Sequence, residues 1–436
     1  MSFPPRQRLA ALHYRDFRLL ISGELVSRIG SQMQFFAINW HVFTLLRDQS
    51  ITLSLLGREV VLGSEALGLG VIGLVRVVPI VLFALVGGLL ADARDRRQVM
   101  IGTRIAAGIV AAILALMTLT DQITVGAIYL LTAAGAAAAV FDAPARQAIL
   151  PNLVERKDLT NAITLNMLTF QVATIIGPAL AGVLVAQFNI GVVYAINALT
   201  FGVAVVTVWL LHHRSQTVVR TNSMGRGALL DGLRFVYRSP MIWSTMLLDF
   251  FATFFASART LLPIVAADIL GVGAGGYGLL ATAEPVGSLI AGSVVALRKD
   301  IYHQGVVLLV SVTVYGLAIA LFGLSTGFIL SYVLFALTGA GDTVSSVIRG
   351  TIRQIMTPDQ LRGRTVSVNM IFFMGGPQLG ELEAGLVAAA LGAPFAIFTG
   401  GVAVVLLTGW IAWKYPRLRN YTSDQSSEIL ATQAVD

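Results

Sequence analysis

The stretch Gly87–Arg104, GGLLADARDRRQVMIGTR, separates two long apolar runs of the sequence. Five charged residues lie within six positions where the first run stops, namely Asp92, Arg94, Asp95, Arg96 and Arg97. Basic residues beside a membrane span stay on the cytosolic side. The stretch therefore predicts a tight cytosolic turn between two membrane helices, with a plain solvated loop as the alternative.

The composition of the chain is that of a membrane protein. Of its 436 residues, 56% are apolar and 12% charged, whereas a soluble domain has about 25% charged residues. The net charge of +7 comes from basic residues dispersed between apolar runs, which orient spans and do not indicate nucleic acid. Cysteine is absent, which excludes disulfides, thiolate nucleophiles and cysteine metal sites.

Twelve apolar runs reach the length of about 20 residues that a membrane helix needs. They cover residues 18–44, 68–91, 98–119, 124–145, 162–187, 190–211, 241–267, 275–297, 304–325, 328–350, 365–391 and 394–413. All but five of the 30 lysines and arginines fall in segments on the side of the N-terminus. We therefore expect an all-α membrane protein with twelve transmembrane helices and both termini in the cytosol.

The longest cytosolic connection, residues 212–240, divides the chain into two halves. Apolar residues at helical spacing predict an amphipathic helix there, on the inner leaflet: Leu229, Leu230, Leu233, Val236 and Tyr237. The predicted parts are a cytosolic N-terminus (1–17), a six-helix bundle (18–211), the linker (212–240), a second bundle (241–413) and a disordered cytosolic tail (414–436).

Matching residue spacings recur in the two halves. Arg146 and Pro151 correspond to Arg353 and Pro358, Asn166 and Gly182 to Asn369 and Gly385, and Gly70 and Pro79 to Gly276 and Pro285. Each match alone could be chance. Together they predict a duplicated unit with parallel halves, an architecture typical of secondary transporters.

The charged turn resembles the signature that the major facilitator superfamily of transporters carries between spans 2 and 3. Gly88, Asp92, Arg96 and Arg97 stand at the matching positions. The DRR form is similar to a subgroup of bacterial drug and siderophore exporters that includes enterobactin-exporter-like proteins. GLRFVYRSP at 232–240 and RQIMTPDQLRGR at 353–364 support this subgroup. The resemblance implies two six-helix bundles around a cargo site.

Within the signature, we expect the four matching residues to form a conformational gate. Asp92 is predicted to face the start of span 11, near Arg362–Thr365, where it would accept hydrogen bonds from free N–H groups or pair with arginine. Such a contact would form in one state of a transporter and break in the other.

Span 5 contains IIGPALAG, similar to the superfamily's exporter motif. Gly177, Pro178 and Gly182 are expected to bend this helix and admit a close neighbour, with a general packing face of small residues as the alternative. Span 4 lacks the arginine that many proton antiporters place there, since its arginine, Arg146, stands at the cytosolic end.

Ionisable residues inside the predicted spans cost about 2.5–3.5 kcal/mol each to insert and usually face a cavity or a partner. The candidates for substrate binding or proton coupling are Glu24, Arg28, Arg76, Asp142, Arg259, Glu284, Asp342 and Glu381. Glu24 and Arg28 share a helical face and can pair, in which case they are a structural ion pair. Asp142 is expected to make a cap or turn contact. Glu284 has no basic residue one turn away, so it is, with Glu24, a leading proton-coupling candidate.

Other function classes lack their motifs. No lysine follows a glycine, so no phosphate-binding loop is present, and no span holds a metal-binding histidine pair or a nucleophile elbow. We therefore expect no enzyme, cofactor or metal. The expected function is proton-coupled export of small amphipathic molecules by a monomer in the inner membrane. A lysophospholipid flippase and a small-nutrient importer of the same fold are the alternatives.

Overall fold

A computed structural model of the protein describes residues 9–55, 58–93, 95–212, 233–298, 301–358 and 361–424. Its long helices are α1 (Arg15–Leu46), α2 (Ser64–Ala93), α3 (Arg96–Leu119), α4 (Val125–Ile149), α5 (Leu159–Gln187), α6 (Ile190–Trp209), α7 (Pro240–Phe255), α8 (Gly273–Leu297), α9 (Gln304–Leu324), α10 (Phe328–Met356), α11 (Arg362–Leu391) and α12 (Ala393–Lys414). Each helix coincides with one predicted apolar run.

Ten helical segments in the described part of the chain are long and apolar enough to cross a membrane. The two long helices outside this set are α1 and α11. In α1 the polar side chains of Ser27, Asn39 and His41 are buried inside the protein, which explains how a helix of lower hydropathy fits among apolar ones. The count of twelve spans stays a prediction.

A two-stranded antiparallel sheet joins α1 to α2, which the all-α prediction did not include. Strand β1 (Ser50–Leu55) pairs with β2 (Arg58–Gly63), with Ser50 opposite Gly63 and Leu55 opposite Arg58. The signal in the sequence is short: β-branched residues follow the end of an apolar helix, and hydropathy over a 20-residue window merges them with its neighbours.

The seventh predicted run, 241–267, is not one regular helix. After α7 the chain forms a 3-10 turn (Ala258–Leu261), a single helical turn (Leu262–Ile264) and a π-helical turn (Val265–Ile269). Pro263 lacks the N–H that a continuous helix would use, and this contributes to the break. The irregular segment sets the position of Arg259.

The chain contacts divide the protein into two compact units. Unit 1 comprises Met1–Leu45, Val75–Thr221 and Gly273–Thr282, and unit 2 comprises Leu46–Leu74, Asn222–Val272 and Ala283–Asp436. Helices α2 and α8 thus contribute to both units. The predicted boundaries at residues 18–211 and 241–413 follow the sequence halves and do not include this exchange.

Unit 1 has an apolar core formed by the beginnings of α1, α3 and α5 and the ends of α4 and α6. Its fully buried members include Phe17, Met100, Ile149, Ala162 and Val208. The residues before α1, placed by the sequence in an N-terminal tail, contribute to this core through Ala11, whose N–H donates to Asn161 Oδ1 at 3.1 Å.

Unit 2 also orders residues that the sequence placed outside its bundle. Tyr421 is buried and its carbonyl accepts a hydrogen bond from Gly305 N at 3.0 Å, so the predicted disordered tail is packed as far as residue 424. In the predicted linker, residues 213–232 lie outside the described residues. Residues 233–238 are helical, and Val236 packs with Ile242 and Met246.

Candidate functional site

The carboxylate of Glu24 lies near the middle of unit 1 with three arginines around it. Arg28 Nε is 3.1 Å from Glu24 Oε2, the pairing that their four-residue spacing predicts. Arg146 Nη1 is 3.6 Å from the same oxygen, and Arg104 Nη2 donates to the other oxygen, Oε1. Glu24 is 4% exposed, so its charge is compensated by these guanidinium groups rather than by water.

Asp142 of α4 belongs to the same group of charges. It accepts hydrogen bonds from Arg104 Nε at 3.4 Å, Arg146 Nε at 3.3 Å and Thr103 Oγ1 at 3.3 Å. Because α4 continues to Ile149, Asp142 lies inside the helix, and the prediction of a cap or turn contact is wrong. We call Glu24, Arg28, Arg104, Asp142 and Arg146 the unit 1 charge cluster.

Arg28 connects this cluster to α5. Its Nη1 donates to the carbonyl of Asn166 and to Thr169 Oγ1, and its Nη2 donates to Asn166 Oδ1, each at 2.8 Å. The planar guanidinium thus has all three nitrogens engaged, which fixes α1 against α5.

A cavity of about 370 Å³ lies inside unit 1 beside the cluster. Its charged lining residues are Glu24, Arg28, Arg76, Arg104, Asp142 and Arg146. The lining also includes small or apolar residues of α3, α4 and α6: Ala107, Val110, Gly135, Ala136, Ala138, Ala139 and Phe201. The cavity is therefore lined by charged groups together with small apolar surfaces.

Two further residues define the cavity's chemistry. Arg76 of α2 lies over the ring of Phe35, with Cζ 4.0 Å from the ring centroid, a cation–π arrangement. Thr132 is 7% exposed, and its Oγ1 has no hydrogen-bond partner among the described residues. A buried hydroxyl without a partner costs free energy, and a bound group or water in the cavity would remove that cost.

Unit 2 contains a second group of buried charges, which we call the unit 2 charge cluster: Asp249, Asp342, Arg349 and Arg353. Arg349 Nη2 lies 3.0 Å from Asp249 Oδ1 and 3.3 Å from Asp342 Oδ1. Arg353 Nη1 lies 3.9 Å from Asp249 Oδ2. The contact of Asp249 with Arg353 corresponds to that of Glu24 with Arg146, and both arginines come from the matching sequence pairs that predicted the repeat.

Glu284 of α8 is paired, contrary to the prediction from its own helix. Arg259 Nη1, on the irregular segment after α7, lies 4.0 Å from Glu284 Oε2. Sequence spacing along one helix could not show a partner from another. This contact is the longest ion pair in either unit among the described residues.

Arg104 and Arg349 are site residues that the candidates from the sequence do not include. Both fall inside the predicted spans 98–119 and 328–350. The structure buries both, 4% and 2% exposed, on carboxylates of other helices. The available signal was their position within these spans, since an arginine there needs an acidic partner.

Two residues of the predicted gate bind the ends of neighbouring helices. Arg96 Nη1 donates to the carbonyl of Ala148 at 2.9 Å, in the last turn of α4. Arg97 Nε donates to the carbonyl of Val208 at 3.1 Å, and its Nη2 donates to that of Trp209, at the end of α6. Carbonyls in the last turn of a helix lack the regular donor four residues on, so the arginines act as caps; the carbonyl of Val208 also accepts from Leu211 N at 3.3 Å.

The remaining gate residues, Gly88 and Asp92, lie in the part of α2 whose side chains are outside the described residues. The side chain of Arg362, at the start of α11, is also outside the described residues. The predicted contact of Asp92 with the start of α11 therefore stays a prediction. Asp95, next to them, caps α3 by accepting from Arg97 N at 2.9 Å.

The small residues of span 5 allow close helix packing. A Cβ at Gly177 would lie 2.5 Å from Gln32 Cβ of α1, and one at Gly182 would lie 2.8 Å from Gly278 Cα of α8. Pro178 lies inside α5 between them. In unit 2, a Cβ at Gly385 of α11 would lie 2.6 Å from Gly70 Cα of α2.

Glu381, also on α11, is half-buried in unit 2 and does not lie beside the unit 1 cavity. Within the described residues, no three His, Asp or Glu side chains are placed to hold a metal ion. The site therefore consists of ion pairs and a cavity, with no group that the geometry assigns to catalysis.

The protein combines long apolar helices with buried ion pairs and a cavity, and its fold is similar to that of solved membrane transporters. A bacterial homologue of the human lysosomal transporter Spinster, inward-facing and unoccupied, aligns with 96% of this chain and 98% of its own at a TM-score of 0.68 and 14% identity. The nucleoside transporter NupG aligns with 92% of this chain and 99% of its own at a TM-score of 0.69 and 12% identity. At these identities the likeness shows the fold alone.

The chain belongs to the family described as transmembrane secretion effector, which it matches over residues 7–436. It is similar to the enterobactin exporter EntS of Escherichia coli O1:K1, with 31% identity over 337 residues, 74% of this chain and 79% of that protein. The same values hold for the enterobactin exporter EntS of Shigella boydii serotype 18. The protein is thus a multi-pass membrane transporter of a small molecule and not an enzyme.

Proposed function

We propose that this transporter exports small amphipathic molecules across the inner membrane, as a monomer, in exchange for protons. The observation that carries the proposal is the unit 1 cavity, whose lining combines charged groups with small apolar side chains and so suits a molecule with one polar and one apolar part. Export is supported by the similarity to proteins named enterobactin exporters.

Alternating access of two bundles is the proposed mechanism of movement. Its support is the pair of glycine crossings, Gly182 with Gly278 and Gly70 with Gly385, where two helix backbones meet without side chains between them. Such smooth contacts let one helix rock on another at little steric cost.

For proton coupling we favour Glu284, assisted by Asp342. Their side chains are 33% and 45% exposed, against 5% for Glu24, so protons can reach them. Glu284 makes no hydrogen bond with a described residue, and its Arg259 partner is 4.0 Å away. Glu24, the other candidate from the sequence, is bound by three arginines, and exchanging its proton would disrupt all three contacts.

The direct test is deletion of the protein, with profiling of small molecules in the medium and in the cells. Export predicts that an amphipathic compound is lost from the medium and accumulates inside. Loss of uptake would replace the proposal with import, and movement of lysophospholipids by the purified protein in liposomes would replace it with flippase activity. The compound so identified should move into everted membrane vesicles when a proton gradient is imposed.

A further inference from the structure

We infer that the unit 1 cavity binds an anionic group of the cargo. The inference rests on the proposed function, since it assumes that this cavity carries cargo, and it adds the charge of what is carried. Four arginines and two carboxylates are the charged side chains among the described lining residues, a formal excess of two positive charges.

The two carboxylates do not compensate this excess. Glu24 and Asp142 are occupied by Arg28, Arg104 and Arg146, and Arg76 lies over the ring of Phe35. A cationic cargo would approach arginines first and would have to displace one of them from its carboxylate.

Arg146 has hydrogen-bonding capacity left for a ligand. Its Nε donates to Asp142, while neither terminal nitrogen donates a hydrogen bond to a described residue, and Nη1 is 3.6 Å from Glu24. A guanidinium with two terminal nitrogens available matches the two oxygens of a carboxylate.

The Thr132 hydroxyl points to the same ligand chemistry. It lines the cavity from α4, is nine-tenths buried, and its oxygen has no hydrogen-bond partner among the described residues. A hydroxyl can donate to an anion, and it would then be satisfied only in the loaded site. The small apolar residues of the lining would hold the hydrocarbon part.

Three probes on one ring system test the charge preference: 2-naphthoate, 2-naphthamide and 2-naphthylmethylammonium. Binding to the purified full-length protein in lipid nanodiscs is measured by equilibrium dialysis, with empty nanodiscs as the blank. We expect naphthoate to bind at least about tenfold more tightly than the amide, and the ammonium compound to bind most weakly.

Variants locate the effect. Arg146→Gln and Arg76→Gln should each reduce the naphthoate preference, the ratio of naphthoate affinity to amide affinity in the same variant, about fivefold or more, and Thr132→Val should reduce it about twofold. Arg146→Lys should restore part of it. Arg47→Gln, which removes an arginine outside the cavity, is the matched control and should keep the preference.

Equal binding of naphthoate and amide would overturn the inference and leave the proposed function standing, since the cavity would then take neutral amphipathic molecules. A naphthoate preference that survives both arginine variants would also overturn it, because the anion would then bind elsewhere. If no compound disappears from the medium of the deletion strain, the proposed function is overturned instead.

Discussion

The two charge clusters share a pattern but differ in balance and access. In each, an acidic residue of the first helix of a sequence half contacts the arginine near the end of the fourth helix: Glu24 with Arg146 and Asp249 with Arg353. In unit 1 the five-residue cluster has three arginines and lies beside a cavity. In unit 2, two arginines face two carboxylates, and Asp342 is 45% exposed.

Because the two clusters differ in charge balance and access, a duplicated framework can serve two tasks. Where arginines outnumber carboxylates, positive charge is left over for an anion. Where a carboxylate has few partners and is accessible, a proton can be taken up and released with less disruption of the fold.

Removing the charge of Glu24 should destabilise the protein most. Glu24→Gln leaves three arginines without their shared carboxylate, and breaking a buried pair in this way costs about 3–5 kcal/mol. Asp342→Asn should cost much less, because this side chain in unit 2 is 45% exposed and contacts one arginine. Equilibrium unfolding of both purified variants in mixed micelles measures the difference.

Glu155→Gln serves as the surface control, since Glu155 pairs with Lys157 in an exposed connection and should have little effect on stability. Equal destabilisation by Glu24→Gln and Asp342→Asn would show that the two clusters are energetically alike, against the comparison.

A methyl group at a glycine crossing should cost less than the Glu24 change. Gly182→Ala would place its Cβ 2.8 Å from Gly278 Cα, and such overpacking costs about 1–3 kcal/mol. Gly202→Ala is the control, because nothing lies within 4 Å of a Cβ there.

The crossing in unit 2 extends this test. Gly385→Ala would meet Gly70 Cα at 2.6 Å, so its unfolding midpoint and transport rate should fall as they do for Gly182→Ala. Normal rates in both variants would remove the support that these crossings give to rocking helices.

Glu284→Gln should reduce gradient-driven transport by about tenfold or more, a loss of about 1.4 kcal/mol, while exchange of cargo without a gradient persists. The reason is that the amide cannot release a proton. Both rates are measured in proteoliposomes with the exported compound, and unchanged gradient-driven transport would exclude Glu284 as the coupling residue.

The smallest expected effect concerns the cap of α6. Arg97→Gln removes the donors to Val208 and Trp209, and a cation at a helix C-terminus contributes about 0.3–1 kcal/mol. Arg156→Gln is the control, since it removes an exposed arginine that caps no helix among the described residues. It should leave the unfolding midpoint unchanged. Equal shifts in the two variants would argue against a capping role.

Much of the helical architecture could be predicted, because hydropathy over 20 residues reports burial in lipid directly. The hairpin β1–β2 and the irregular turns after α7 could not be. The hairpin is shorter than a span. Pro263 alone did not predict the break, because Pro79, Pro178 and Pro285 lie inside continuous helices. The exchange of α2 and α8 between units is a tertiary property with no local signal.

The candidate site could be predicted only where partners share a helix. Glu24 with Arg28 followed from the four-residue spacing, whereas Arg104 and Arg259 reach their carboxylates from other helices. A charged residue near the end of a span can lie in water and orient the span, or it can be buried in an ion pair. Position along the chain does not distinguish these two roles, so the sequence did not show that Arg104 and Arg349 are buried in ion pairs.

The caps made by Arg96 and Arg97 have a consequence for biosynthesis. Both arginines stand at the start of α3, but the carbonyls they bind belong to the ends of α4 and α6, which the ribosome makes later. The turn before α3 therefore cannot reach its final bonding until Trp209 has been translated. A nascent chain arrested before α6 would hold Arg97 without its acceptors, and the first half of the protein would complete its folding only as its last helix arrives.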